Sequence, residues 1–215
     1  MQDLVTVTGI VLSSSPAGEY DRRLAILTKE RGKITAFAKG ARRQHSRLLA
    51  ACNLFAFGQF TLYPGRSAYT LTEAAISQYF DELRMDYEGA YYGMYFLELC
   101  DYYSRENNDE KELLKLLYQS LKALTAESIP RPLVQVVFEL KAMMINGEFP
   151  GMPEEGVWKG STDYTVHFIE KTGIEKLYTF KVSEEVLKEL QQIAAVYRKR
   201  YIDREMKSLE MLSML

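Results

Sequence analysis

The chain has 215 residues, of which 47% are hydrophobic and 26% charged, and its formal net charge is −2. These proportions are typical of a soluble globular protein with one large or two small domains. Its two cysteines, Cys52 and Cys100, exclude a disulfide-rich scaffold and a zinc site made of thiolates from this chain alone. No apolar run approaches the roughly 20 residues of a membrane helix. Residues 1–5 lack the pattern of a signal peptide, so a cytoplasmic protein is expected.

Charge is distributed unevenly along the chain. Residues 1–80 contain ten Lys/Arg and five Asp/Glu, whereas residues 81–215 contain seventeen Lys/Arg and twenty-four Asp/Glu. A basic first part joined to an acidic remainder indicates that any binding of a polyanion belongs to the first part.

The first 75 residues predict five β-strands. Valines alternate with threonines over residues 4–12, and the serine-rich residues 13–18 predict a loop after this strand. The other strands are predicted at residues 22–28, 33–38, 54–63 and 67–74, with a tight glycine turn before the third. No stretch between them is long enough for a parallel crossover helix. An antiparallel barrel or sandwich is therefore expected, and a five-stranded barrel of the OB type fits the count and length.

From about Ala75 the hydrophobic period becomes helical. Residues 87–103 are apolar on nearly every side, which is typical of the central helix of a bundle. Further helices are predicted to begin near Asn108, Pro130 and Ser183, and the tail over residues 201–215 is also interpreted as helical.

Residues 148–182 differ from the helices around them. They begin with a cluster of proline and glycine, and two short strands are predicted, at 164–169 and 177–182. The predicted fold class is therefore α+β, with a small β insert in the helical part.

Residues that could carry catalysis are few. His45 lies in a basic loop and His167 on a predicted strand, and neither has a metal-ligand partner at motif spacing. The sequence contains no phosphate-loop, dinucleotide-binding or nucleophile-elbow motif. A non-enzymatic function is therefore favoured, and a metal-dependent enzyme is the alternative from another class.

A cluster of cations near Tyr20 and Phe37 is the strongest functional signal. Its downstream part, a loop after the third strand, contains no acid. The cluster comprises Arg22, Arg23, Lys29, Arg31, Lys33, Lys39, Arg42, Arg43 and Arg47. OB folds hold single strands in cationic grooves with aromatic rings, so these residues predict a nucleic-acid site. The alternative is that they only solvate one side of the barrel. Phe37 itself is interpreted as a core residue, as are Phe55, Phe57 and Phe60.

Short segments spread over the chain carry a family likeness. In the first 80 residues they are EYDRRLAILTKERGK at 19–33, AKGARR at 38–43, LYPGR at 62–66 and YTLTEA at 69–74. FELK at 138–141 and Gly147 give a looser match farther on. Together these segments resemble the RecO family of bacterial recombination mediators, in which a helix at the later position leads into a zinc module.

The resemblance implies an OB-fold nucleic-acid-binding domain over residues 1–79 and a helical domain over residues 80–215. It implies a non-enzymatic protein of DNA recombination and repair, associated with the nucleoid, that needs no cofactor. Such a protein binds single- and double-stranded DNA and anneals complementary strands. The implied partners are RecR, single-strand binding protein and, indirectly, the RecA recombinase. An OB-fold RNA-binding module and a scaffold protein are the alternatives.

The sequence departs from the family at the zinc module. Many members carry a four-cysteine zinc ribbon after the position of Gly147, but residues 148–182 contain no cysteine. We therefore expect a degenerate ribbon, a metal-free β insert without stoichiometric zinc. Its predicted core consists of five aromatic residues: Trp158, Tyr164, Phe168, Tyr178 and Phe180.

Overall fold

The computed structural model describes residues 3–154 and 156–214, which form an α+β fold with the strands first and the helices after them. The five strands are β1 (Val5–Ala17), β2 (Asp21–Thr28), β3 (Gly32–Ala38), β4 (Phe57–Pro64) and β5 (Tyr69–Gln78). They close into a barrel in the order β1-β2-β3-β5-β4. The five-stranded OB-type barrel is therefore confirmed, and the sandwich is not formed.

Alternation of side chains explains the closure of the barrel. Every pair of neighbouring strands is antiparallel except β3 and β5, which are parallel. Along β3, Ile34, Ala36 and Ala38 are buried, and the residues between them are partly exposed. Successive side chains of a strand point to opposite faces, so one face of each strand fills the interior. Leu24, Ile26, Phe60 and Leu62 supply the largest part of that core.

The first strand is longer than predicted. Residues 13–17 were predicted as a loop, which is wrong, because they continue β1 and pair with β2 as far as Asp21. The register shifts between Val11 and Ser13, as at a β-bulge. A bulge inserts an extra residue and increases the local twist, so the strand changes its face without ending. Serines 13 and 15 then lie exposed on the outside.

The helices follow the predicted order. They are α1 (Asp81–Met85), α2 (Tyr87–Tyr103), α3 (Lys111–Leu124), α4 (Arg131–Ile145), α5 (Gly160–Lys171), α6 (Glu184–Tyr201) and α7 (Lys207–Leu212). The prediction for α2 is confirmed, and α6 begins after Ser183, whose Oγ accepts a hydrogen bond from the Val186 N–H at 3.3 Å. The predicted start near Asn108 is early by three residues, and the tail is helical over α7 alone.

The predicted β insert is wrong. Residues 164–169 lie within α5, and no described residue between 148 and 182 belongs to a strand. A strand was predicted here, but the buried side chains of α5 are Thr162, Thr165, Val166 and Ile169. Their spacing of three and four residues places them on one face of a helix. Tyr164, predicted in the core of the insert, is 72% exposed.

The chain forms two compact units. The first comprises the described residues up to Arg84 together with Leu97–Leu114, and the second comprises Met85–Phe96 and the described residues from Lys115 onward. The predicted division into domains at residue 79 or 80 remains a prediction. Within the part of the chain that is described, no helix has both the length and the apolar character to cross a lipid bilayer.

Candidate nucleic-acid interface

The nine predicted cations are divided between the two ends of the β2–β3 hairpin. Arg22 pairs with Ala38 at one end, and Thr28 pairs with Gly32 at the other. These pairs are six residues apart along the strand, which corresponds to about 20 Å. The predicted site is therefore not one continuous patch.

We call the first end the basic tip, defined by Tyr20 and the loop cations Lys39, Arg42, Arg43 and Arg47. The loop after β3 folds against the short connection between β1 and β2. The Arg42 N–H donates to the Tyr20 carbonyl at 2.8 Å, and the Gly40 N–H donates to Asp21 Oδ1 at 2.7 Å. These bonds fix the direction in which the loop leaves the barrel.

An aromatic ring lies beside one guanidinium group of the basic tip. The Arg43 Cζ atom is 5.0 Å from the centroid of the Tyr20 ring, and the Tyr20 side chain is itself 42% exposed. A guanidinium over a ring face is attracted to the quadrupole of the ring and keeps its donors directed outward. A planar, always charged group with free donors suits phosphate oxygens.

The cations of the basic tip are available to a ligand. Lys39, Arg42, Arg43 and Arg47 are exposed, and none of the four forms an ion pair with another described residue. Arg42 Nη1 donates a weak hydrogen bond to the Gly18 carbonyl at 3.4 Å.

Arg22 and Arg23 are neighbours in β2 but face opposite ways. Arg22 shares the inward face of Leu24, its Nη1 donates to Ser14 Oγ at 3.0 Å, and its buried Nε has no hydrogen-bond partner among the described residues. Its charge also acts on Cys52: burial raises the pKa of that thiol to about 11, and Arg22 opposes the rise. Arg23 faces outward and is exposed. Arg22 is thus part of the barrel, and Arg23 is part of its surface.

We call the other end of the hairpin the turn end, defined by Lys29, Arg31 and Lys33. Lys33 Nζ donates to Asp101 twice, to its carbonyl at 2.5 Å and to Oδ1 at 3.0 Å. The Arg31 carbonyl accepts from the Asn107 N–H at 2.9 Å, and Arg31 Nη1 lies 3.4 Å from the Tyr69 hydroxyl. Lys29 is exposed. Two of the three cations are therefore engaged in holding the fold.

A cleft of about 420 Å³ lies on the outer face of β1, β2 and β3. Its charged lining is mixed, with Arg23, Lys33 and Arg105 facing Asp101 and Glu106. A polyanion would be repelled by the two carboxylates, so the cleft is less suited to DNA than the basic tip.

Some relevant residues were not identified from the sequence as part of the site. Arg66, in the turn after β4, is exposed, and Asp101, which pairs with Lys33, is 68 residues away from it in sequence. Phe37 was interpreted as core, which is wrong: its position in β3 is outward and only half-buried. Strict alternation with Ile34, Ala36 and Ala38 was the available signal. Phe55 and Phe60 are buried as predicted, whereas Phe57 is half-buried.

The histidines and acids give no catalytic constellation in the described residues. His167 is exposed on α5 rather than on a strand, with its Nδ1 3.6 Å from Glu170 Oε2. Over residues 3–154 and 156–214, no three side chains of His, Cys, Asp or Glu are placed to hold a metal ion.

Comparison with known proteins gives matches along most of the chain. The family model for the N-terminal part of recombination protein O matches residues 1–80, and the model for its C-terminal part matches residues 84–152. All nine predicted cations lie within the first match.

Three relatives illustrate the range of similarity, and each is named DNA repair protein RecO. The protein of Halalkalibacterium halodurans is 32% identical over 84% of this chain and 73% of its own length. That of Clostridium perfringens is 27% identical over 99% and 98%. That of Alkaliphilus metalliredigens is 38% identical over 68% of this chain, and the match spans 60% of the relative's length.

Proposed function

Because the chain belongs to the RecO family, we propose that it is a DNA repair protein that binds DNA without catalysing a reaction. The observation that carries the proposal is the basic tip. Four exposed cations lie on one loop and form no ion pair with any residue that the structure describes, and the loop is held in place by backbone hydrogen bonds. Such an array can neutralise several consecutive phosphates.

The proposed mode of binding depends on phosphate rather than on base sequence. Each cation that meets a phosphate releases a condensed counterion, so affinity falls as salt concentration rises. Contacts to phosphate position the strand but carry no base code. The basic tip therefore binds single strands and duplexes of any sequence.

We further propose that the protein anneals complementary strands and acts with RecR and single-strand binding protein to help load RecA. Annealing requires no bond to be made or broken in the DNA backbone. It requires that the repulsion between two phosphate chains be reduced while bases remain exposed. The family membership and the names of the relatives support this part of the proposal.

Within the nine predicted residues, the contacts suggest different roles. We assign phosphate binding to Lys39, Arg42, Arg43 and Arg47, with Arg23 beside them on the outer face. Lys29 is available for a peripheral contact. Arg22, Arg31 and Lys33 are assigned to the fold, because their side chains or backbone are bonded within the first unit.

The test compares two double variants that remove the same charge. Arg42→Ala with Arg43→Ala removes two cations of the basic tip, and Lys188→Ala with Lys199→Ala removes two exposed cations of α6. Fluorescence anisotropy of a labelled single strand is measured at several salt concentrations. We expect the tip variant to lose affinity on the order of tenfold and its salt slope to fall by about 1.4, since each phosphate contact contributes about 0.7. The α6 variant should bind as the wild type does.

Four outcomes would count against the proposal. Wild-type protein that fails to bind DNA at low salt would remove the DNA-binding function altogether. An unchanged slope in the tip variant, or an equal loss in both variants, would mean that the basic tip is not the contact. Much tighter binding to RNA than to DNA of the same sequence would favour the RNA-binding alternative.

A further inference from the structure

Four outward side chains form a row across the barrel. Arg23 of β2 pairs with Phe37 of β3, Phe37 pairs with Thr70 of β5, and Thr70 pairs with Tyr63 of β4. Residues that pair directly point to the same face of a sheet. The row therefore crosses four adjacent strands on one side.

The exposure of these residues identifies that side as the outer one. Arg23 is exposed and the Tyr63 side chain is 47% exposed, while Phe37 and Thr70 are half-buried between their neighbours. The residues on either side of them in sequence point inward, since Leu24, Ala36, Ala38, Leu62 and Leu71 all belong to the buried core.

The spacing of the two aromatic rings suits nucleobases. Neighbouring strands are about 4.8 Å apart, so Phe37 and Tyr63 are separated by about 10 Å, with the small Thr70 between them. Sheet faces that bear aromatic side chains in this way hold unpaired bases by stacking.

The charge around the row favours a nucleic acid over an apolar partner. Arg23 ends the row, Lys39 follows Phe37 by two residues, and Arg66 follows Tyr63 by three. These three cations are exposed, and they form no ion pair with another described residue. The carboxylate that comes next along β5, Glu73, pairs with Thr61 and lies two ladder positions away. Asp101 and Glu106 line the cleft at the Arg23 end of the row, so Lys39 and Arg66 are the cations on which this argument depends. Phosphates could thus flank the row while bases lie on it.

We propose that Arg23, Phe37, Thr70 and Tyr63 form a stacking row that holds the unpaired bases of single-stranded DNA. This rests on the proposed function and assigns the two surfaces different parts of the same ligand. The basic tip contacts phosphates, which single strands and duplexes both offer. The stacking row contacts base faces, which only an unpaired strand exposes. The row should therefore make binding to single strands tighter than binding to duplexes.

The test uses variants that keep apolar bulk but remove the ring. Phe37→Leu with Tyr63→Leu is compared with Arg42→Ala with Arg43→Ala and with the wild type. Stacking is worth about 1–3 kcal/mol per base, so the leucine variant should lose at least fivefold in affinity for a single strand. Its salt slope and its affinity for a duplex should stay as in the wild type. The tip variant should show a reduced slope on both DNA forms.

A base analogue reports the contact directly. 2-Aminopurine placed in a single-stranded oligonucleotide should be quenched on binding to the wild type and to the tip variant at saturating protein, but not on binding to the leucine variant. If the double variant is unstable, Tyr63→Leu alone serves, because this side chain is largely exposed and should still reduce quenching.

The outcomes separate this proposal from the one on which it rests. Wild-type protein that binds no DNA defeats the proposed function. Wild-type protein that binds with a salt slope dependent on the basic tip, while the leucine variant retains its single-strand affinity and quenching, defeats the stacking row alone. An equal loss of single-strand and duplex affinity in the leucine variant also defeats it.

Discussion

The two ends of the β2–β3 hairpin have similar residue types, but their surroundings in the fold differ. Each has a glycine with φ of +65°, Gly32 at the turn end and Gly40 in the basic tip, and each has three or more cations. At the turn end, the segment after α2 pairs with the hairpin, through a bridge from Gly32 to Glu106 and a hydrogen bond from the Lys33 N–H to the Arg105 carbonyl. In the basic tip the backbone bonds are local to the two loops.

The difference shows that a count of cations does not locate a binding site. Lys33 and Arg42 carry the same charge and are nine residues apart, Lys33 in β3 and Arg42 in the loop that follows it. Lys33 is neutralised by Asp101 at 3.0 Å, with only about a quarter of its side chain exposed. Arg42 is exposed and has no ion pair in the described residues. Availability is decided by what the rest of the chain places beside each cation.

The largest expected effect comes from replacing the two glycines. In Gly32→Ala the added Cβ would lie 2.2 Å from the Arg105 carbonyl oxygen and 3.0 Å from that of Asn108, so backbone must move. In Gly40→Ala the nearest atom would be Arg43 Cδ, at an ordinary 3.5 Å. Both substitutions also lower stability by about 1 kcal/mol, because alanine is strained in the left-handed backbone conformation that each glycine adopts. We expect Gly32→Ala to lower the free energy of unfolding by more than about 3 kcal/mol in total.

Urea denaturation of the two glycine variants measures this difference. Because both substitutions are the same and both backbones have the same φ, each variant is the control for the other. Equal losses of stability would show that the turn end is no more tightly packed than the basic tip, and the comparison would fail.

A second, smaller effect is expected from the cations themselves. Lys33→Met removes the partly buried ion pair between Lys33 and Asp101, which should lower stability by about 1 kcal/mol. Arg42→Met should change stability by less than about 0.5 kcal/mol, as is usual for exposed positions. DNA binding should rank the variants in the reverse order, with Arg42→Met weaker and Lys33→Met close to the wild type.

Measuring both properties on the same two proteins makes the ranking decisive. Lys33→Met could lose as much DNA affinity as Arg42→Met without losing stability. That result would mean that the turn end also contacts DNA. It would also mean that DNA displaces Asp101 from Lys33.

The sequence predicts most of the barrel because the signals that build it are local. The hairpin turn at Gly32 and the alternation in β3 are both readable within a few residues, and so is the cap of α6 at Ser183. The extension of β1 through its serines is not, since it depends on a bulge and on pairing with β2. The helix α5 was missed because its buried face includes the polar Thr162 and Thr165, so the three- and four-residue spacing of its buried positions does not form an apolar pattern in the sequence.

In the candidate site, too, features that depend on nearby residues could be predicted from the sequence, and features that join distant segments could not. Residue types and the absence of acids in the loop after β3 point to cations that can meet phosphate. The pairing of Lys33 with Asp101 could not be foreseen, because it joins two segments far apart in sequence. The outward position of Phe37 could have been read from its alternating neighbours. Its alignment with Tyr63 required the register of β3, β4 and β5.

The smallest expected effect concerns the two buried thiols. Cys52 belongs to the barrel core near Arg22, and Cys100 lies on α2 next to Asp101. Burial raises the pKa of Cys52 to about 11. Burial, followed by the charges of Glu110 and Asp101, also raises the pKa of Cys100 well above its ordinary value. Both thiols are therefore protonated at neutral pH and should react slowly with a thiol reagent. Because the pKa of Cys52 is higher in the folded protein, the stability that its thiol contributes is complete below about pH 9 and is lost as pH rises toward 11.

The variants Cys100→Ala and Cys52→Ala each keep one cysteine. The rate at which a thiol reagent labels that cysteine at pH 8 reports how often the structure around it opens. We expect Cys52 to react several times faster than Cys100, because the loop that follows β3 and leads to it is held by few bonds outside its own backbone. Saturating single-stranded DNA should slow Cys52 and leave Cys100 unchanged, since a ligand on the basic tip stabilises the closed loop. Equal labelling rates, or protection of Cys100 by DNA, would contradict this expectation. Either result would mean that the regions around Cys52 and Cys100 open together and that DNA binding stabilises the whole first unit.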